Sequence, residues 1–447
     1  MFSSLILCHA VVAFDPCRIE VIEEGSGWPV PLVELRTTHN VRFVTDNAGV
    51  VAFDLPELMG RETWFAIEGH GYEVPVDGFG FRGVRRIPKP GETLTIQVRR
   101  RLPAKRLGRI TGAGIFGESQ RFGQETDWTE SGILGCDSVQ TAVHRDRLFW
   151  FWGDTVLARY PLGLFHMTGA NTERQPLRSF IPPMRIRYDY VTTATGVPRE
   201  VGKIEGSGPT WINGTVSLPD KDDRQRLVGT YAKIEPPLTE YECGLCVWND
   251  EQEQFERHRV LWTKTAESPK PPPRPGGHPV VHTDSDGKRS VYFGDPFPYL
   301  KCAADFESWS DPNRWEHLTP QPSVRVRGSD DTITPHRGCI AWNAYRKRWV
   351  AVLTEYLGEV SPLGEIWYTE ADHPTGVWGP AVKVVTHKNY TFYNPCLHPE
   401  MTAAESPILL FEGTYTKQFA NNPEATPRHE YNQILYRLDL DDATLVE

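Results

Sequence analysis

Apolar and polar residues alternate with a period of two along most of this chain, in short runs separated by Gly, Pro, Asn and Asp. That is the pattern of half-buried strands, and the 3.6-residue period of an amphipathic helix is hard to find. The first group of runs is Arg18–Ile22, Leu32–Leu35, Val41–Val44, Val50–Phe53 and Leu94–Val98, which predicts a small β-sandwich module over residues 15–100. From residue 105 onward a longer pattern repeats. An apolar run is followed by a tight polar turn, then by an aromatic-rich run that ends in Gly or an acid, then by further strands.

The copies begin at Cys136–Val143, Trp211–Leu218, Pro279–Thr283, Cys339–Trp342 and Tyr393–His398. Their returning strands are Leu148–Asp154, Arg226–Lys233, Ser290–Asp295, Arg348–Glu355 and Pro407–Glu412. Repeated antiparallel meanders of this length predict four-stranded blades arranged radially, a five-bladed β-propeller over residues 105–447. Residues 109–116 are the candidate for the outer strand that closes the last blade. A two-layer sandwich is the structural alternative. The fold class is all-β, an N-terminal β-sandwich followed by the propeller.

Composition narrows the function classes. The 447 residues include 38 Gly and 37 Pro, a turn-rich mix, and carry a formal net charge of −10. A broadly acidic surface repels phosphate backbones, which argues against nucleic acid as a partner. The one basic run, Arg99-Arg100-Arg101 with Lys105 and Arg106, reads as a solvated connector. No run in the body of the chain has the ~18–20 apolar residues of a membrane span. Residues 4–14 read as the apolar region of a signal peptide (1–14), although Met1-Phe2-Ser3 lacks the usual basic residue; the alternative is a buried first strand. Export, to the periplasm or outside the cell, is the expectation. Eight cysteines, seven after a cut, form no complete disulfide framework. Cys243 and Cys246 are a lone CxxC without the second pair that zinc would want.

Candidate chemistry follows from the meander geometry. The start of each first strand and the end of each second strand lie at one sheet edge, and in a propeller that edge forms one face. First-strand starts place Asp137, Trp211 with Asn213, His278, His336 with Arg337, and Asn394 there, and Tyr393 lies at or just beyond the same face. Second-strand ends place Asp154, Lys233, Asp295, Glu355 and Glu412 there. Asp137 and Asp154 are the sharpest pair. A hairpin turning at Arg145-Asp146 sets Val143 opposite Leu148, Thr141 opposite Trp150 and Val139 opposite Trp152, and two residues further on Asp137 faces Asp154. Opposed residues have Cβ atoms about 4.5–5.5 Å apart, and two carboxyls that close do not both ionise readily. One retained proton and one carboxylate are what glycoside hydrolysis requires. The competing reading makes both acids turn residues.

These residues also carry a resemblance. The apolar strand with Asp137, the turn and Leu148–Thr155 (LFWFWGDT) resemble the opening blade of an endo-arabinanase-like family long described as a domain of unknown function. Weaker echoes are YNPCLHP (393–399) and LLFEGTYT (409–416). The resemblance implies the five-bladed architecture of arabinanases and invertases, with an Asp on the first strand and the Asp of GDT as the catalytic pair, here Asp137 and Asp154. In the N-terminal module, VTDNAG (44–49) and GHGY (69–72) resemble carboxypeptidase-regulatory or transthyretin-like β-sandwiches, which are accessory modules of secreted enzymes.

The expected partner is a polysaccharide or oligosaccharide. Asp295, Glu355, Glu412, Trp211, His278, His336, Arg337, Tyr393 and Asn394 are the candidate substrate-binding residues, with Tyr299, Tyr356 and Tyr415 as further aromatics that could stack on a sugar face. No cofactor is required, but His278 and His336 with Asp137 suggest a calcium or other divalent ion in the propeller channel. The same histidines, with Arg337, Tyr393 and Lys233, fit a polysaccharide lyase, and a non-catalytic glycan-binding propeller is the third reading. Pro269–Pro275 reads as a polyproline loop, and Asp284-Ser285-Asp286-Gly287 as a hairpin turn.

Overall fold

The computed structural model describes residues 15–174 and 180–446, and the candidate signal at 1–14 lies outside them. The chain is all-β, with one α-helix, Phe306–Ser310, and three short 3₁₀ turns among the described residues.

Two four-stranded sheets form the N-terminal part. In one, Cys17–Glu23 lies between Val50–Phe53 and the parallel strand Thr93–Arg100, with Tyr72–Glu73 at the edge. The other is built on Glu34–Thr37 and Thr63–Glu68, flanked by Arg42–Val44 and Gly83–Arg86. Alternate residues of Cys17–Glu23 are buried, and Ile19, Val21, Leu35, Phe53, Phe65 and Ile96 share one core across the two sheets. The strands at 63–68, 72–73 and 83–86 were not evident in the sequence.

Beyond residue 105 the described chain forms five four-stranded antiparallel sheets. Their first strands are Gln140–His144, Thr210–Pro219, Val280–Thr283, Pro335–Asn343 and Thr391–Leu397. Residues of all five line one inner channel of ≈ 280 Å³, among them Ala142, Val216, Val280, Ile340 and Leu397. Trp150 and Trp152 are fully buried and stack at 6.2 Å, packed with Leu107 and Leu435 between the first and last sheets.

The last sheet is completed by a strand from the start of this region. Lys105–Arg109 pairs with Asn432–Asp439, so the closing strand lies just before the expected 109–116. The basic run is therefore solvated only in part: Arg99 and Arg101 are exposed, whereas Lys105 and Arg106 belong to the closing strand. Arg106 is buried, 1% exposed, and its guanidinium donates to the carbonyls of Pro31 (2.9 Å), Leu32 (2.8 Å) and His70 and to the Tyr436 hydroxyl (3.1 Å). The Tyr72 and Tyr436 rings lie against it at 5.2 and 5.8 Å. Lys105 pairs with Asp439 at 2.6 Å. The two motifs noted in the N-terminal part supply this joint. Asn47 accepts from the Arg109 N–H at 2.9 Å and donates to its carbonyl at 2.7 Å, and His70 contacts the Tyr415 hydroxyl at 2.8 Å. Gly108, at φ 132°, leaves room for Asn47, which a Cβ would meet at 2.8 Å.

Because the Arg106 donors are taken up by carbonyls and a hydroxyl in a buried site, truncation leaves several buried acceptors unpaired. Arg106→Ala should lower unfolding stability by on the order of 3 kcal/mol, and Arg106→Lys should recover little of it, since an ammonium cannot span the forked set of acceptors. Urea denaturation of the full chain checks this; a loss below about 0.5 kcal/mol, the scale of an ordinary surface substitution, would contradict it.

Candidate active site

The first hairpin turns at Arg145 and Asp146, whose φ values of 48° and 61° are both in the left-handed region that a type I′ turn requires. Its pairing, Gln140 with Phe151 and Thr141 with Trp150, is the register read from the apolar pattern. The same register resumes beyond the sheet, where Cys136 pairs with Thr155. Between the two paired stretches the ladder opens. Ser138 takes φ 51°, and the strand splits into Ile133–Cys136, which joins a separate three-stranded sheet, and Gln140–His144. Asp137 and Asp154 stand at this split, tied by one backbone bond from the Gly153 N–H to the Asp137 carbonyl at 2.7 Å.

Both acids line a cleft of ≈ 670 Å³, together with Trp211, Asn213, His278, Asp295, Tyr299, Arg337 and Asn394. The Asp137 carboxylate folds over Gly153, where an added Cβ would lie 2.2 Å from Oδ1. The Tyr393 hydroxyl donates to Asp137 Oδ2 at 2.5 Å. Burial raises the Asp137 pKa, while hydrogen bonds from Tyr393, Tyr431, Ser138 and the Asp154 N–H favour its ionised form. Asp154 is pushed up to about 7, first by burial and then by the Asp137 charge, with the Trp211 indole N–H acting in the opposite direction. Its Oδ1 is buried and has no hydrogen-bond partner among the described residues. The donors gather on Asp137, so Asp137 ionises first and Asp154 keeps the proton.

The cleft lining also holds an ion pair. Asp295 binds the Arg337 guanidinium and accepts from the Gly338 N–H at 2.9 Å. The loop read as a polyproline spacer is part of this cleft through Pro272, Pro273, Arg274 and Pro275. Tyr299 holds it by donating to the Arg274 carbonyl at 3.1 Å. Gly277, at φ 73°, brings the loop against the Gly294 carbonyl so closely that no Cβ fits. Asn394, at φ 52°, donates to Ser138 Oγ at 2.7 Å and so supports the split.

Several expected residues lie elsewhere. Glu412 is fully buried with His398 Nε2 at 2.7 Å, because its strand, Ile408–Thr416, runs on past it. Glu355 accepts from the Trp367 indole at 2.9 Å and does not line the cleft. His336 lies outside the cleft lining, stacked on Tyr356 at 5.6 Å. Lys233 is fully buried and donates to the Ile204, Gly206 and Gly208 carbonyls and to Thr210 Oγ1. Tyr415 is buried against Tyr390 at the joint with the N-terminal part. Tyr393 serves as an Asp137 partner. His278 lines both cleft and inner channel, but His278, His336 and Asp137 do not converge as a metal-ligand group among the described residues. Tyr431, Ser138 and Gly153 are the members that sequence reasoning missed; only the Gly before the Asp of GDT offered a signal.

No protein-family model matches this chain, and no curated protein does. Among solved structures, it is similar to an exo-β-1,3-galactanase from Phanerochaete chrysosporium with galactose at 7% identity and TM-score 0.39, over 69% of this chain and 61% of that one. It is also similar to an exo-1,5-α-L-arabinanase from a bovine ruminal metagenomic library at 10% identity and TM-score 0.39, over 69% and 94% of the two chains. An N-acetylgalactosamine deacetylase from F. plautii in complex with blood group B trisaccharide follows at 10% identity and TM-score 0.35, over 69% and 91%.

A carboxyl whose folded pKa lies above its ordinary value of 3.8 contributes stability while protonated and loses it as the pH rises toward the folded value, here about 7. Asp154→Asn keeps a neutral group at every pH. The stability of this variant relative to the parent should therefore rise by on the order of 2 kcal/mol between about pH 4 and 7, after allowing for solvent in the cleft, and then level off. Paired melting curves across that range check the sign; a flat difference would contradict it.

Proposed function

We propose that this chain is a glycoside hydrolase built as a five-bladed β-propeller (105–447) behind an accessory β-sandwich (15–100), acting on a polysaccharide or oligosaccharide in the cleft above the first hairpin. The observation that carries the reading is the pairing of Asp154, holding a proton near neutral pH on a carboxyl with an unpartnered oxygen, with a hydrogen-bonded Asp137 at the same break in one hairpin. Asp154 is the general acid that protonates the leaving oxygen. Asp137 is the carboxylate that acts on the anomeric carbon or on its attacking water. Trp211 and Tyr299 offer ring faces to a sugar, and Asp295, Arg337 and Asn394 offer hydrogen bonds to its hydroxyls.

The lyase alternative has less support. Of its base candidates, Lys233 is committed to backbone carbonyls, Tyr393 to Asp137, and His336 lies outside the cleft lining, which leaves His278 as the one still lining the cleft.

The deciding experiment is digestion of a broad polysaccharide panel, galactans and arabinans included, by the parent and by Asp154→Asn. New reducing ends without unsaturated products, reduced about 10²–10⁴-fold in the variant, are expected. Parent activity should fall as the pH rises through about 7, as the acid loses its proton. Unsaturated uronates that survive the substitution would establish a lyase, and glycan binding without cleavage a scaffold. Gly153→Ala, whose methyl displaces the Asp137 carboxylate, should reduce turnover with little effect on substrate binding; equal losses in kcat and in affinity would contradict the role given to Asp137.

A further inference from the structure

At the sheet edge opposite the cleft, three side chains from two sheets converge. His282 is near the end of Val280–Thr283, Asp284 is in the hairpin turn that follows, and His373 is in the loop after Ile366–Ala371 of the neighbouring sheet. Asp284 Oδ1 lies 3.3 Å from His282 Nε2 and 3.7 Å from His373 Nε2. Both separations exceed the ~2.7–3.2 Å of an N–H···O hydrogen bond. They bracket the spacing between neighbouring ligands of a tetrahedral ion, about 3.3–3.4 Å for bonds of about 2.0–2.1 Å. The two imidazoles meet edge to face at 5.3 Å, and one candidate ligand atom from each of the three residues lies within 4.8 Å of the other two.

The surroundings orient both rings. His373 Nδ1 lies 2.9 Å from Thr375 Oγ1 and 3.2 Å from the Thr375 N–H. Nε2 presents a lone pair in the tautomer whose Nδ1 carries the proton and donates to the Thr375 hydroxyl; the Thr375 N–H, which donates to Nδ1 in the other tautomer, then gives up that acceptor. Such a hydrogen bond at the far nitrogen orients metal-bound histidines. His282 is held by the Trp349 ring at 5.3 Å. The turn is fixed by the Asp284 N–H to Lys288 carbonyl bond at 2.9 Å.

We propose that His282, Asp284 and His373 form a binding site for a divalent ion of the zinc class, joining the third and fourth sheets. Two imidazoles and one carboxylate suit a borderline-soft cation, and three protein ligands leave one tetrahedral position for water. The site is separate from the cleft and does not depend on the function proposed for it.

Zn²⁺ alone is the probe, titrated calorimetrically into the chelator-treated full chain. The parent should bind one equivalent and gain in melting temperature. His373→Ala, whose side chain is 43% exposed and whose loss should leave the metal-free melting temperature near that of the parent, should bind at least tenfold more weakly. Asp284→Asn is the second test, and should weaken binding likewise. Asp286→Ala, in the same turn but outside the cluster, should bind as the parent does. One-equivalent binding that survives His373→Ala or Asp284→Asn, or a parent that takes up no more Zn²⁺ than His373→Ala, overturns the site.

Discussion

The rest of the structure depends on how the last sheet is completed. Its outer strand, Lys105–Arg109, comes from the opposite end of the region, and it is also the point at which the N-terminal sheets are attached. Arg106 joins the two. Its guanidinium is taken up by carbonyls of the N-terminal part and by Tyr436 of the last sheet. A buried cation with no carboxylate among these partners is tolerable only because the carbonyls and aromatic rings converge on it. Detaching the N-terminal part would therefore remove the Arg106 acceptors and the Asn47 clamp on Arg109 together.

The cleft inherits this dependence. The split at Asp137 is held largely by the last sheet: Gln433 donates to the Cys136 carbonyl at 3.1 Å, the Ser138 N–H donates to Thr414 Oγ1 at 3.0 Å, and Tyr393 donates to Asp137 itself. Asn432 donates to the Leu134 carbonyl at 3.1 Å and accepts from Thr111, just beyond the closing strand, at 2.9 Å. A physical route therefore runs from the N-terminal joint through Asn432–Asp439 to the donors that fix Asp137. The N-terminal part thus supports the geometry of the acid pair without lining the cleft.

The first hairpin was legible because two independent signals agreed. The Arg145-Asp146 turn set the parity, and the apolar residues of LFWFW set the face; only one register satisfies both. Where one signal was missing, reading failed. Lys105–Arg109 is polar in composition, and its burial rests on acceptors far away in sequence, so it passed for a linker. Glu412 and Lys233 looked like edge residues because each follows an apolar run. Yet Glu412 lies within a longer strand beside His398, and Lys233 meets a ring of carbonyls supplied by residues 204–210. Tyr431 came from a loop with no periodicity to mark it. His373 lies far along the chain from His282, so local spacing could not join them.

The acid pair also explains its own persistence. Two ionised carboxylates at one break in a sheet would repel, and the described residues of the cleft lining place no free cation between them; the Arg337 charge is taken by Asp295. The structure instead divides the burden unequally. Asp137 receives the Tyr393 hydroxyl and further donors and carries the charge. Asp154 receives little beyond the Trp211 indole, leaves one oxygen unpartnered and stays neutral until about pH 7. An uneven allotment of donors is what separates two otherwise similar carboxyls into an acid and a base. The proton that makes the pair tolerable to the fold is the one the proposed hydrolysis gives to the leaving oxygen, so stability and chemistry place the same demand on Asp154.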